Sequence, residues 1–223
     1  MFVGMWMVKD LLTIGPDESV GNIATLMAQH RIRRLPVVDK AHDSNKLLGI
    51  VSYSDVLHAF PADLNPFSSV ANDEFSQRMN GTSELTAADI MRDHPLTVLP
   101  QDPIEKAAKL MRDKKIGALP VISQDHLVGL ITESDLFRAF ASLFDTHEPG
   151  VRITFDISSG EDVFPIVAEL IKKHQLKLHT LVSLPHHSRA LCVIGVFGRH
   201  TDKLVDDLWK SKHAVVNVIA LTP

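Results

Sequence analysis

A hydroxyl residue is followed three positions later by aspartate at two places where a short apolar run meets a helical pattern. Ser52 and Asp55 stand in GIVSYSDVLHAF, and Thr132 and Asp135 stand in GLITESDLFRAF. The point where a strand turns into a helix exposes free backbone N–H groups and the positive end of the helix dipole, which suits phosphate. A carboxylate at the same point can accept hydrogen bonds from both hydroxyls of a ribose. Both segments therefore predict phosphate and ribose binding.

Helix capping is a second explanation for the same two pairs of residues. Serine and threonine are favoured as N-caps, and an acidic residue is favoured in the first helical turn. A single copy of the pattern would favour capping alone. Two copies, each set in the same longer pattern, favour ligand binding instead.

The longer pattern is an internal repeat, which determines the architecture. Pro36 recurs as Pro120, 84 positions later, and other residues between positions 7 and 37, such as Met7, Thr13 and Leu35, recur at the same offset. The offset has fallen to 80 at the Ser-Asp segment, so the first copy has four more residues in its hairpin, around 41–46. A polar loop tip is where insertions are best tolerated.

Each copy predicts the same succession of elements. An apolar segment ending at 12–14, or at 96–98 in the second copy, leads to a turn and an amphipathic helix. Two strands and a closing helix follow, with the strands predicted at 35–39, 47–51, 119–123 and 127–132. A unit of roughly 55 residues buries too little apolar surface to be secure alone, so we expect the two copies to pack sheet on sheet.

Two stretches resemble the motif of the cystathionine-β-synthase (CBS) domain family. Residues 33–38, RRLPVV, form the first together with residues 49–55, and residues 117–122, GALPVI, form the second together with residues 129–135. The resemblance implies a pseudo-two-fold regulatory unit, the Bateman module. Such a module commonly binds AMP, ADP, ATP or a related adenosyl ligand such as S-adenosylmethionine in clefts between its repeats, and no cofactor is required.

The resemblance implies further ligand contacts near the first strand of each repeat. The candidates are Arg33, Arg34 and Pro36 in the first repeat, Gly117, Ala118 and Pro120 in the second, and Thr13 and Thr97 in the preceding segments. The arginines can neutralise phosphate, although solvated charges at a strand edge would give the same pattern, and β-propensity alone explains the threonines. Because Gly117 and Ala118 replace the arginine pair in the second repeat, we expect the two clefts to differ.

Four segments are predicted along the chain. Residues 1–60 and 85–146 are the CBS repeats, 61–84 is a polar linker with a helix around 71–79, and 150–223 follows a boundary at Glu148-Pro149-Gly150. The last segment has the predicted order βαββαβ, which is ferredoxin-like. Its order and length resemble an ACT domain, a fold that often binds amino acids or mediates dimers, with Gly160 in the turn where ACT ligands bind.

Two CBS motifs followed by an ACT-like domain resemble the acetoin utilisation protein B family, which is bacterial and regulatory. The segments WMVKD at 6–10 and ITESDLFR at 131–138 strengthen the resemblance. The implied fold class is mixed α+β. We expect a homodimeric adenine-nucleotide sensor that acts on a partner enzyme or on the ACT-like domain and is not itself an enzyme. The alternatives are a ligand-free scaffold that regulates an enzyme by contact, and an enzyme that hydrolyses nucleotide in a cleft.

Composition argues against several other classes of protein. A net charge of −4 gives no reason to expect nucleic acid as a partner, and no apolar run is long enough to predict a membrane span. Residues 1–10 lack the pattern of a signal peptide, and a single cysteine, Cys192, fits a reducing cytoplasm. The twelve histidines, including the adjacent His186 and His187, show no metal-ligand spacing, so we expect no metal site.

Overall fold

The computed structural model describes residues 1–39, 45–60, 67, 85–145, 148–211 and 213–222. These residues form two compact units, Met1–Ala139 and Phe140–Pro223. The predicted linker helix around 71–79 and the predicted insertion at the hairpin tip, apart from residues 45 and 46, lie outside the described residues. Among the described residues, no helix has the length and apolar character that crossing a membrane requires.

The first unit contains both repeats. The first repeat consists of α1 (Val3–Trp6), α2 (Val20–His30), β1 (Arg34–Asp39), β2 (Lys46–Ser52) and α3 (Tyr53–Ala59). The second consists of α4 (Ala87–Ile90), β3 (Arg92–Asp93), α5 (Ile104–Lys114), β4 (Ala118–Ser123), β5 (His126–Thr132) and α6 (Glu133–Ser142), whose last residues extend beyond the unit. The long helices α2 and α5 both end at a residue in the left-handed conformation, Arg31 at φ 52° and Lys115 at φ 53°. The sequence offset of 84 is therefore also a structural one.

The strands of the two repeats join into one sheet. Strands β1 and β2 form an antiparallel hairpin, as do β4 and β5, and β2 meets β5 where Lys46 pairs with His126. The sheet order is β1-β2-β5-β4, with the short β3 beside β2. The sequence predicts two sheets packed on each other, whereas the structure joins the two hairpins at their edges.

The leading segments of the two repeats are exchanged. Val3, from the start of the first repeat, is buried in the core of the second repeat, and the backbones of Val8 and Leu130 form a bridge. Conversely, Ala87 is buried in the core of the first repeat, and β3 pairs with β2. Each repeat therefore completes its core with the other's leading segment, which explains why neither is expected to be stable alone.

Two equivalent glycines allow this exchange. A Cβ atom on Gly129 would lie 2.6 Å from the Sδ atom of Met7 and 3.0 Å from the carbonyl oxygen of Val8. A Cβ atom on Gly49 would lie 2.5 Å from the Sδ atom of Met91 and 2.9 Å from a backbone oxygen. Any larger residue at either position would collide with the segment that packs against it.

The second unit has the predicted ferredoxin-like element order. It consists of β6 (Gly150–Asp156), α7 (Phe164–Lys173), β7 (Lys177–His186), β8 (Arg189–Phe197), α8 (Thr201–Lys210) and β9 (Val215–Leu221). The antiparallel sheet has the order β7-β8-β6-β9. One face packs on the two helices, with Phe155 of β6, Ile194 of β8 and Leu204 of α8 fully buried. Cys192 lies in the same core, and its burial raises the pKa of the thiol. The mixed α+β class is confirmed.

Candidate functional site

A cleft of about 630 Å³ lies between the two repeats of the first unit. Its volume is within the range typical of small-molecule sites. The predicted residues that line it are Arg33, Arg34 and Pro36 of the first repeat and Gly117 and Thr132 of the second. The lining residues that the sequence did not predict are Val8, Asp10, Leu11, Leu12, His30, Arg31, Ile32, Leu130, Glu133 and Ser134. The cleft thus combines the strand start of one repeat with the helix start of the other.

The turn between α2 and β1 places the arginines at the cleft. Arg31 closes α2 in the left-handed conformation, and β1 begins three residues later at Arg34, which pairs with Ser52 of β2. The carbonyl oxygen of Arg33 accepts a hydrogen bond of 2.8 Å from the backbone N–H of Tyr53. Leu35 is fully buried beside them. Backbone pairing and one buried side chain therefore fix the position from which both guanidinium groups extend.

The side chain of Arg34 crosses from the first repeat to the second. Its Nη2 atom lies 2.5 Å from the position that a Cβ atom on Gly117 would occupy, and the Oε2 atom of Glu133 lies 2.9 Å from the same position. Burial lowers the pKa of the half-buried Arg34, while the negative charge of Glu133 acts in the opposite direction. Arginine stays protonated in proteins, so the cleft holds a permanent, partly desolvated positive charge next to Gly117.

Thr132 and Asp135 form a helix cap at the start of α6. The backbone N–H and the hydroxyl of Thr132 donate to the Oδ2 atom of Asp135 at 2.8 and 2.7 Å, and the other carboxylate oxygen is paired with Arg138. Asp135 is 4% exposed and does not line the cleft, whereas Thr132 does. The structure therefore brings Thr132 to the cleft, while its hydroxyl and the carboxylate of Asp135 are bonded to each other.

The first repeat has the same cap. The backbone N–H and hydroxyl of Ser52 donate to the Oδ2 atom of Asp55 at 2.8 and 2.5 Å. Neither residue lines the 630 Å³ cleft. A third capping box joins Thr86 and Asp89, both at 2.8 Å, before α4. Since this third box also lies away from the cleft, the capping explanation accounts for the hydrogen bonds at all three places, and the ligand role of the aspartates stays a prediction.

The remaining candidates lie elsewhere in the first unit. Thr13 and Thr97 each stand before a single backbone bridge rather than in a strand. Thr97 lines a second cavity of about 470 Å³ near the hairpin turns. Ala118 and Pro120 are buried in β4. The structure does not bring these four residues to the arginine-lined cleft.

Three charged residues that line the cleft were not predicted, and the sequence contains only a partial indication of them. Arg31 belongs to the run HRIRR at 30–34, and only the last two arginines of that run fall within the CBS-like motif. Glu133 stands at the variable position of the hydroxyl-x-Ser-Asp pattern, where the first repeat has Tyr53, so the repeat gives no signal for it. Asp10 belongs to the exchanged leading segment, and its approach to the cleft depends on that exchange. Among the described residues, no three acidic, histidine or cysteine side chains are grouped closely enough to hold a metal ion.

The family model of the CBS domain matches residues 3–62 and 87–142, which together are more than half of the 223 residues. The chain belongs to the CBS domain family. Inosine-5'-monophosphate dehydrogenase of Korarchaeum cryptofilum is 31% identical over an alignment of 174 residues, which covers 74% of this chain. The matched part is 31% of that enzyme, so the CBS protein described here spans about a third of the length of that relative.

Two solved structures are similar over 65% of this chain. A protein of Vibrio cholerae assigned to acetoin utilization (AcuB) is 29% identical, with a TM-score of 0.51 over 93% of its length. CBSX2, a CBS-pair protein of Arabidopsis thaliana whose structure was solved in complex with AMP, is 27% identical, with a TM-score of 0.52 over 98% of its length. The CBS-pair fold of the first unit is thereby established.

Proposed function

We propose that this CBS protein is a regulatory adenine-nucleotide sensor that binds its ligand in the 630 Å³ cleft. The observation that carries the proposal is the composition of the cleft, in which arginines of one repeat face the start of α6 in the other. The AMP complex of CBSX2, a relative of the same fold, supports an adenosine ligand. The residues that face the cleft suit a nucleotide, because cations and a helix N-terminus attract phosphate and apolar side chains cover a base.

Each group of residues has a separate part in this proposal. Arg33 and Arg34 hold phosphate, and the hydroxyl of Ser134 donates to a phosphate or ribose oxygen. Thr132, whose hydroxyl already donates to Asp135, contributes a wall of the cleft. The adenine ring lies against the apolar lining formed by Leu11, Leu12, Ile32 and Pro36. Asp135 binds ribose only when the ligand displaces Arg138 from its outer carboxylate oxygen. Ser52, Asp55 and Ala118 stand at the positions of Thr132, Asp135 and Arg34 in the other repeat, and with Thr97 we propose them as a second site that lacks the arginine pair.

The exchange of leading segments gives the ligand a route to regulation. Val8 lines the cleft and also forms the bridge with Leu130 that holds the first repeat's leading segment on the second. A ligand that contacts this segment changes the packing between the repeats, and it shifts the population only as far as it prefers one packing. In this proposal a homodimer partner, a regulated enzyme or the ferredoxin-like unit, acting as an ACT-like domain, responds to that change.

The scaffold alternative is favoured by a different observation. Large apolar side chains are exposed on the first unit: Met5 is 66% exposed and Phe137 is 74% exposed. Exposed apolar groups of this size are typical of protein-protein contacts when they form a patch. In this second function the clefts stay empty, and the protein regulates a partner enzyme by contact alone.

Calorimetry with AMP, ADP, ATP, S-adenosylmethionine and NAD tests the proposal. We expect saturable binding of at least one ligand, and a loss of affinity of roughly tenfold or more in Arg34→Gln, because a hydrogen bond to a charged group contributes about 1.5–3 kcal/mol. Arg112→Gln is the control, since Arg112 is an exposed arginine of α5 that does not line the cleft. Asp135→Asn is compared with Asp89→Asn, which removes the same cap away from the cleft.

The outcomes separate the functions. Absence of heat from every ligand, with the protein folded, would refute the sensor and leave the contact scaffold. Equal affinities in Arg34→Gln and Arg112→Gln would remove Arg34 from the site. If the wild-type protein releases phosphate from ATP in the presence of magnesium, the protein is an enzyme instead.

A further inference from the structure

The charges that line the cleft are more evenly balanced than its arginines alone indicate. Three arginines, Arg31, Arg33 and Arg34, face two carboxylates, Asp10 and Glu133. Without counting histidine, these side chains leave one net positive charge. A phosphate monoester carries about 1.5 to 2 negative charges at pH 7, and each added phosphoryl group adds more. The positive charge of the cleft is therefore matched to a single phosphate.

The size of the cleft does not select between nucleotides with one phosphate and nucleotides with three. A cleft of about 630 Å³ is within the range that holds drug-sized ligands, so its volume does not distinguish a nucleoside monophosphate from a triphosphate. Discrimination between the two ligands therefore depends on the charges that line the cleft. Glu133 lies near Arg34, since the Nη2 atom of Arg34 and the Oε2 atom of Glu133 approach the same point above Gly117.

The start of helix α6 does not require a glutamate at position 133. Tyr53 holds the equivalent position in the first repeat, where the same cap forms between Ser52 and Asp55. An acidic residue in a first turn also stabilises a helix through the dipole, and this effect alone would explain Glu133. The second repeat offers a control for that explanation, because Glu105 lies in the first turn of α5 and does not line the cleft.

From this geometry we infer that Glu133, supported by Asp10, makes the cleft selective for a nucleoside monophosphate over the diphosphate and triphosphate. Glu133 offsets Arg34 and repels the additional phosphoryl groups of a longer ligand. The inference rests on the proposed function, since it specifies the ligand class of the same cleft. It assigns Glu133 as a specificity-determining residue rather than a ligand of the phosphate.

Comparison of the affinities for AMP and for ATP tests the inference. The affinities of both are measured at one ionic strength for the wild-type protein, Glu133→Gln, Asp10→Asn and the control Glu105→Gln. We expect the wild type and the control to prefer AMP. In Glu133→Gln the ratio of AMP to ATP affinity should fall roughly tenfold, the effect of one like charge about 8 Å away at an effective dielectric between those of water and protein. Asp10→Asn should change the ratio in the same direction.

The possible results are distinguishable. A wild-type protein that binds ATP more tightly than AMP, or a ratio unchanged in both cleft variants, would overturn this inference and leave the nucleotide sensor in place. An equal change in Glu105→Gln would show an effect of net charge or helix dipole and would overturn it also. A folded wild type that binds neither nucleotide would overturn the proposed function together with the inference.

Discussion

Replacing Gly117 by alanine tests the placement of Arg34 without replacing any charged residue. Gly117 has no positive φ, so an L-residue fits the backbone there. The new Cβ atom would lie 2.5 Å from the Nη2 atom of Arg34 and 2.9 Å from the Oε2 atom of Glu133. Both are the far ends of flexible side chains. The alanine therefore moves the guanidinium group out of its position rather than distorting the backbone.

Gly117→Ala should change the free energy of unfolding and the affinity for AMP by different amounts. Gly→Ala at a compatible position stabilises by about 0.4–1 kcal/mol through the unfolded chain, so the free energy of unfolding should stay constant or rise slightly. Binding should lose the charged hydrogen bond from Arg34 to phosphate, about 1.5–3 kcal/mol, which is a fall in AMP affinity of roughly ten- to a hundredfold. The same substitution in an Arg34→Gln background should cost little, because the displaced group is already absent.

Calorimetry with AMP and urea denaturation measure the two effects on the same variants. Gly15→Ala is the control, since a Cβ atom there meets nothing within 4 Å. A Gly117→Ala protein that binds AMP as tightly as the wild type would refute the role of Arg34 at this position. A fall of several kcal/mol in the free energy of unfolding would show instead that the Cβ atom meets rigid structure.

Two further predictions concern stability. Gly129→Ala should destabilise by about 1–3 kcal/mol in urea denaturation, because its Cβ atom would meet the carbonyl oxygen of Val8 at 3.0 Å and overpack the exchanged segment; stability equal to that of Gly15→Ala would contradict this. Hydrogen bonds from Lys173 and His174 lower the pKa of Asp207 to about 2. Wild type should therefore be more stable than Asp207→Asn above about pH 4, the unfolded pKa, and lose that advantage as the pH falls toward about 2. An equal difference in unfolding free energy at about pH 6 and about pH 3 would count against this pair of interactions.

The elements of the fold could be predicted where periodicity is strong. The βαββαβ order of the second unit follows from alternating strands and two amphipathic helices, and its first strand is observed at Gly150–Asp156. The hairpins of the repeats are recognisable for the same reason. The exchange of leading segments has no local pattern, because Val3 and Ala87 are apolar residues whichever core they enter. Only the tertiary structure shows which repeat each one completes.

The site was predictable in part for a related reason. Arg34, Gly117 and Thr132 stand out by residue type within a recurrent motif, and the structure brings all three to one cleft. The aspartates stand out equally, yet a carboxylate three residues after a hydroxyl satisfies a helix start without any ligand, as Asp89 shows. A sequence pattern that serves local capping and ligand binding alike cannot separate the two. In the structure Thr132 lines the cleft, whereas Asp55 and Asp135 do not.

Comparison of the two repeats then distinguishes what the fold requires from what the cleft requires. The glycines that admit the exchanged segments, Gly49 and Gly129, occur in both repeats, and both first hairpin strands shift register at the same place. These features keep the duplicated framework. Arg34 is replaced by Ala118 and Glu133 by Tyr53, although the strand and helix starts are preserved. Because the framework tolerates either residue at these positions, folding does not require the charges of the cleft, and the nucleotide proposal assigns them to ligand binding on that ground.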